Sequence, residues 1–139
     1  EALVMLNQAT DFHPNTLGQR VILSVIQDPG YAAHLEHLCQ TYRKRRDAMV
    51  TAVSDAFPEG TTWTTPVGGM FLMARLPDGL DAAACLTQAL EAKVAYVTID
   101  HFTVDDSGRD SVRLNFTNAS PEKIHEGVHR LGALFGQRC

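Results

Sequence analysis

Residues 112–116 set Arg113 and Asn115 among Val112, Leu114 and Phe116. In an extended strand successive side chains point to opposite faces, so the three apolar residues share one face and Arg113 and Asn115 share the other. An arginine held this way, with a packed core behind it, presents a planar fork that fits a carboxylate through two parallel hydrogen bonds. Each such charge-assisted bond is worth roughly 1.5–3 kcal/mol. The same spacing equally suits a surface charge or an intramolecular salt bridge, and the pattern alone leaves these open. Gly68-Gly69 is a second candidate. It marks a tight turn or a place where backbone approaches something closely. A phosphate cradle is not expected there, because no lysine of a Gly-rich phosphate motif follows and a strand comes next.

Other reactive residue types form no comparable pattern. His125 and His129 are spaced i,i+4, but Glu126-Gly127-Val128 between them does not make a zinc-binding His-Glu-x-x-His motif, so a solvated helix face is expected. His13 and His101 fall in loops without further ligands at metal-site spacing, and no serine or cysteine sits in a nucleophile-elbow context. The three cysteines, Cys39, Cys85 and Cys139, are widely separated and odd in number, which suits a reducing compartment. Two Asn-x-Ser/Thr matches, at Asn115 and Asn118, read as chance.

The elements that must position Arg113 follow from periodicity. Leu17, Val21, Ile22 and Val25 form a helical stripe over 17–26 that stops at Asp28-Pro29-Gly30. The loop before it, 11–16, has aromatic and polar residues suited to facing a ligand or a neighbouring subunit. A long helix is expected over 31–57, with Leu35, Leu38, Cys39, Tyr42, Met49 and Val53 on one face. Strands are expected over 61–65, 70–76, 94–98 and 112–116. Within 70–76 both parities are apolar, the pattern of a central strand covered on both faces. Asp81 caps a helix over 82–91 with Leu86 and Leu90 inward, and Asp78-Gly79 turns the chain before it. Residues 99–111, including Asp105-Asp106, read as a mobile surface loop. Ser120-Pro121-Glu122 opens a closing helix whose apolar stripe is Ile124, Val128, Leu131 and Leu134. The expected fold class is α+β: a two-layer sandwich with a small mixed or antiparallel sheet and helices on one side.

At 139 residues the chain suits one domain with a proper core. The formal net charge of −4 argues against a nucleic-acid partner. The basic run 43–46 wraps around a helix instead of forming one stripe, and reads as solvated or interdomain charge. No stretch approaches the roughly 20 apolar residues of a membrane span, and no signal peptide is visible. The cytoplasm is the expected location.

Several motifs together resemble the class I/II aminotransferase family: Pro66-Val67-Gly68-Gly69-Met70-Phe71-Leu72, Leu76-Pro77-Asp78-Gly79-Leu80-Asp81, and residues 113–121. Leu6-Asn7-Gln8-Ala9-Thr10-Asp11 and residues 42–49 match the same order and spacing. The resemblance covers essentially the whole chain and is nearest to the 2-aminoadipate/kynurenine and multisubstrate branch. It implies fold type I, with 1–30 as the end of the large cofactor domain and its interdomain helix, and 31–139 as the small C-terminal domain. It also implies a homodimeric parent that uses pyridoxal 5′-phosphate to move an amino group from an α-amino acid to a 2-oxo acid. Arg113 matches the arginine that grips the α-carboxylate, and Gly68 lies in the turn beside the substrate. Glu1 to Leu6 begin inside an apolar segment, so the chain reads as the C-terminal piece of a larger enzyme. None of Lys44, Lys93 and Lys123 lies in the segment type that carries the family's cofactor lysine. No catalytic residue is therefore assigned, and the piece alone is expected to be inactive.

One departure stands out: members of the family this chain resembles usually have Pro-Gly after the strand matching 94–97 and before the aromatic of the next loop, where this chain has Thr98-Ile99-Asp100-His101-Phe102. It changes a loop near the site entrance. Bulky apolar or aromatic amino acids, paired with 2-oxoglutarate, are the expected substrates, because nothing in 98–102 or 11–16 supplies an extra arginine for an acidic side chain. Two alternatives stand beside the enzyme. One is an effector-binding aminotransferase-like domain of a transcriptional regulator, and the other is a self-standing small-molecule-binding domain.

Overall fold

The computed structural model describes residues 2–11, 15–77, 79–104 and 107–139. Residues 12–14 of the loop 11–16, His13 among them, with Asp78, Asp105 and Asp106, lie outside the described residues. The chain divides into two compact units, Glu1–Leu38 and Cys39–Cys139.

In the first unit, α1 spans Ala2–Asp11 and α2 spans Thr16–Ile26. Asn15 caps α2 by accepting a hydrogen bond from the Gly18 N–H at 2.9 Å, satisfying a donor left open by the first helical turn. The stripe read from the sequence is present, but no residue of α2 is buried, and Leu17 is 75% exposed.

The second unit contains the sheet. Helix α3, Tyr31–Ala56, crosses from one unit to the other and buries only Met49, Ala52 and Val53. Of the face expected for it, Leu35 and Cys39 are exposed. Four strands follow: β1 (Thr62–Trp63), β2 (Phe71–Arg75), β3 (Val97–Thr98) and β4 (Ser111–Asn115). They form one antiparallel sheet in the order β1-β2-β4-β3. Helices α4 (Ala82–Glu91) and α5 (Pro121–Gly136), with the end of α3, supply the helical side of the core. This is the expected α+β two-layer arrangement.

The core joins Leu72, Ala74, Val112, Leu114 and Phe116 to Val53, Ile124, Val128, Leu131 and Phe135. Phe135 meets Phe57 edge-on at 5.3 Å between ring centres, a favoured aromatic geometry. Gly132 lets α5 lie against the end of α3: a Cβ there would come within 2.2 Å of the Ala56 carbonyl oxygen. Asp81 caps α4 by accepting from the N–H groups of Ala83 and Ala84, and Ser120 caps α5 by accepting from that of Lys123.

Three expectations are corrected. The inward face of α4 is Ala82, Cys85 and Ala89, while Leu86 is only partly buried and Leu90 is 52% exposed. Small residues face inward because α4 lies close to α5. β2 is central, yet Phe71 and Met73 are only half-buried, so it is packed on one face and not on both. The cysteines are not all unpaired: Cys85 and Cys139 form a disulfide across a separation of 54 residues, leaving Cys39 free. Folding brings their Cα atoms to 5.5 Å, a proximity that wide sequence spacing did not reveal.

Candidate functional site

β4 lies between β2 and β3, and Arg113 stands opposite Met73 on one side and Val97 on the other. Its neighbours Val112 and Leu114 are buried, so the strand alternation directs the Arg113 side chain to the face away from the helices. The guanidinium carbon lies 4.4 Å from the Phe71 ring centre and 4.9 Å from that of Phe102. Phe71 pairs with Asn115 and is therefore the diagonal neighbour of Arg113 across the β2–β4 ladder. Phe102 comes from a short 3-10 turn, Asp100–Phe102, directly after β3. Nε of Arg113 is buried without a hydrogen-bond partner, and among the described residues no ion pair holds its guanidinium. Phe102 itself is 61% exposed. The arrangement is a positive charge seated on aromatic rings with its hydrogen-bonding capacity uncommitted.

The 3-10 turn is fixed from within. Phe102 donates its N–H to the Ile99 carbonyl at 2.8 Å, and the Thr103 hydroxyl bonds the carbonyls of Asp100 and Ser107. The hydroxyl of Thr98 holds the Asp100 carboxyl below the usual carboxylate range, helped by the nearby charge of His101. Asp100 nevertheless keeps one oxygen, Oδ1, buried and unpaired. Phe102 was missed as a site residue because an aromatic in a polar loop carries no periodic signal. Its position depends on the 3-10 turn Asp100–Phe102.

Gly68 and Gly69 lie in the loop before β2. Gly69 needs its glycine identity, with φ at +82°. Gly68 has ordinary backbone, and an added Cβ would meet nothing within 4 Å. No contact inside this chain demands glycine there. The pair borders a cavity of about 190 Å³ with Cys39, Tyr42, Arg43, Arg46, Val67 and Phe116. Two members of the basic run are not simply solvated: Arg45 donates to the Thr117 carbonyl and Arg46 to the Pro66 carbonyl. Successive helical residues point about 100° apart, so half of the run reaches the loops after β4 and before β2 while Arg43 and Lys44 stay outside. Asn115 is exposed, and its Oδ1 is engaged locally, accepting from the N–H and hydroxyl of Thr117 at 2.7 and 2.8 Å.

The remaining candidates are dispersed. His101 is exposed on the 3-10 turn, and His125 and His129 lie on α5. Among the described residues no group of three metal-binding side chains gathers. Lys44 is exposed on α3, Lys93 follows α4 with φ at +63°, and Lys123 stands in the first turn of α5. None is on the sheet face that carries Arg113.

A small antiparallel sheet with helices on one face and an arginine without an ion pair among the described residues on the other defines an α+β domain. Residues 2–131 match the family described as aminotransferase class I and II, and the chain belongs to that family. It is 36% identical to aromatic-amino-acid aminotransferase 1 of Thermococcus litoralis over 93% of this chain and 31% of that protein. In structure it is similar to the multiple substrate aminotransferase of Thermococcus profundus, with a TM-score of 0.89 at 35% identity, covering 96% of this chain and 33% of that one. The α-aminoadipate aminotransferase LysN of Thermus thermophilus, complexed with N-(5′-phosphopyridoxyl)-L-leucine, matches with a TM-score of 0.87 at 33% identity, over 98% of this chain and 35% of that one. The chain thus spans about a third of the length of the relatives it matches. Among the described residues no helix is long and apolar enough to cross a membrane.

Proposed function

We propose that this chain is the substrate-gripping C-terminal part of a pyridoxal-phosphate-dependent aminotransferase that moves an amino group from an α-amino acid to a 2-oxo acid. The observation that carries the reading is Arg113. It is a strand-borne guanidinium on the open face, without a hydrogen bond of its own, in a chain of this family. Family membership adds what geometry alone left open, because a carboxylate is the ligand both partners of the reaction share. Arg113 binds that carboxylate and thereby orients the amino or oxo end of the substrate. Gly68 keeps the turn beside the substrate free of a side chain, consistent with the open space around it.

The residues present do not themselves hold the cofactor: all three lysines sit on helices or helix ends away from the Arg113 face. We therefore assign the cofactor-bearing lysine to the rest of the parent and no catalytic residue to this chain, which is inactive alone. Residues 1–30 belong to the large domain and interdomain helix and 31–139 to the small domain, in a homodimer; a cytoplasmic location requires the Cys85–Cys139 pair to be reduced there. Bulky apolar or aromatic amino acids with 2-oxoglutarate are the substrates proposed; similarity to a multiple substrate and an aromatic-amino-acid aminotransferase supports this breadth. Relatives at 33–36% identity carry aminotransferase names, favouring the enzyme over a regulator's effector domain. The ties of Arg45 and Arg46 to loop carbonyls favour a structural use of the basic run over nucleic-acid binding.

The test is Arg113→Ala in the full-length parent. Two charge-assisted bonds amount to roughly 3–6 kcal/mol before reorganisation, so kcat/KM for amino acids falls by about two orders of magnitude or more. Arg113→Lys recovers only part, lacking the planar fork. Unchanged amino-acid kinetics would remove Arg113 from the site. Separately, mixing the 139-residue chain with cofactor yields no stoichiometric, borohydride-trappable attachment to one lysine.

A further inference from the structure

We infer that Phe102, with Phe71, is a positioning residue that fixes the plane of the Arg113 guanidinium for carboxylate capture. The inference rests on the reading of Arg113 as the carboxylate site. Arginines that bind carboxylates are commonly aimed by acceptors within the protein, which hold Nε and leave the outer nitrogens for the ligand. Here Nε is buried and bonds to nothing. Within this chain the contacts to the guanidinium surface come from two rings, at 4.4 and 4.9 Å. Cation–π attraction at these distances is directional, because the charge is drawn to the ring face. Rings also exclude water from the guanidinium without competing for its N–H groups, and a less solvated charge binds a carboxylate more strongly.

The two rings differ in origin. Phe71 is fixed by the β2–β4 ladder, its backbone paired with Asn115. Phe102 is carried by the 3-10 turn Asp100–Phe102 that follows β3, and it is more than half exposed. An exposed aromatic whose N–H donates to the Ile99 carbonyl, beside a Thr103 hydroxyl that donates to the Asp100 and Ser107 carbonyls, and whose ring lies against a charge, has a reason to be held there.

The experiment uses the full-length holoenzyme and two probes without an amine: 3-phenylpropanoate, which carries a carboxylate, and 3-phenylpropan-1-ol, which does not. Dissociation constants are measured by calorimetry for the parent and for Arg113→Ala, Phe102→Leu and Phe102→Tyr. Phe102→Leu keeps apolar bulk and removes the π face. It is expected to weaken the acid roughly fivefold to tenfold, the size of a partly desolvated cation–π contact, and the alcohol less than twofold. Phe102→Tyr keeps the π face and leaves both constants within about twofold. Equal weakening of acid and alcohol by Phe102→Leu would make Phe102 a lining residue only and overturn the inference, as would no weakening of either. If Arg113→Ala preserves the preference for acid over alcohol, the assignment of Arg113 itself fails, and the positioning role falls with it. Loss of that preference in Arg113→Ala with an unaffected Phe102→Leu sinks the positioning role alone.

Discussion

Leu114 and Arg113 are neighbours on β4, and the two faces they occupy obey different rules. On the helix side Leu114 is 3% exposed and joins a core assembled from three helices and the inner residues of the sheet. On the other side Arg113, Phe71 and Met73 are half-buried, and a charged group keeps a buried nitrogen unpaired. The first face satisfies every demand locally: apolar against apolar, helix ends capped, tight approaches made by Gly132 and Ala56. The second leaves demands open. The proposed carboxylate site lies on that unfinished reverse, where the fold leaves a polar group to be satisfied from outside the chain.

The contrast is sharpest where a truncation should cost most. Leu114→Ala removes buried apolar volume from the middle of the core and is expected to lower stability by about 2–5 kcal/mol, read from chemical denaturation. A loss under about 1 kcal/mol would mean that the covered face is loosely packed, contrary to the near-complete burial of Leu72, Val112 and Phe116.

The disulfide fastens the helix layer by joining Cys85 of α4 to Cys139 beyond α5. Cross-linking a loop of this length restricts the unfolded chain and is worth on the order of 2–4 kcal/mol. Reduction, or Cys139→Ser, is expected to lower the midpoint of thermal unfolding. Acid-probe affinity on the opposite face should change little, and a parallel loss of that affinity would show the two faces to be coupled.

Tyr96 supplies a pH-dependent version of the same argument. Its hydroxyl donates to the Ala82 carbonyl at 2.6 Å, and burial, reinforced by the Asp81 carboxylate, pushes its pKa from 10.0 up to about 12. A group whose folded pKa is raised contributes stability below its unfolded value and loses it as pH climbs. Stability should therefore fall between about pH 10 and 12, by roughly 2–3 kcal/mol from this group. Tyr96→Phe costs about 1 kcal/mol at neutral pH through the lost hydrogen bond, and its alkaline decline should be correspondingly shallower. Parallel curves for the two proteins would mean that Tyr96 is not the group responsible.

How much of this was legible in the sequence follows from the same division. Closed features announce themselves: Ser120-Pro121 located the start of α5, Asp81 that of α4, and alternation over 112–116 assigned each residue to its face. Burial was less legible wherever it depends on a partner surface. The stripes of α2 and α5 look alike on paper, yet α5 buries Ile124, Val128, Leu131 and Phe135 while α2 buries nothing. A stripe states that a helix has an apolar side and not what meets it. The partnership of Cys85 with Cys139 and the seat of Arg113 on Phe102 were invisible for a related reason, since both join residues whose proximity only the folded chain creates. The resemblance to the family carried Arg113 further than spacing could, but it said nothing about what would hold it in place.

The smallest stability effect should come from Arg113, the residue to which the proposed function gives most weight. Arg113→Met keeps most of the side-chain length and removes the guanidinium. The cation–π contacts it loses are worth about 0.5–1 kcal/mol each at partly exposed sites. Against that, the variant no longer buries an unpaired Nε, a penalty of about 1–3 kcal/mol in the parent. The methionine sulfur also rests favourably against aromatic rings, so the two changes offset. Stability is expected to stay within about 1 kcal/mol of the parent, or to rise, while carboxylate binding is lost. A large destabilisation would instead mark Arg113 as a structural element, held by the fold for its own sake, and the open face would lose its claim to be the unfinished one.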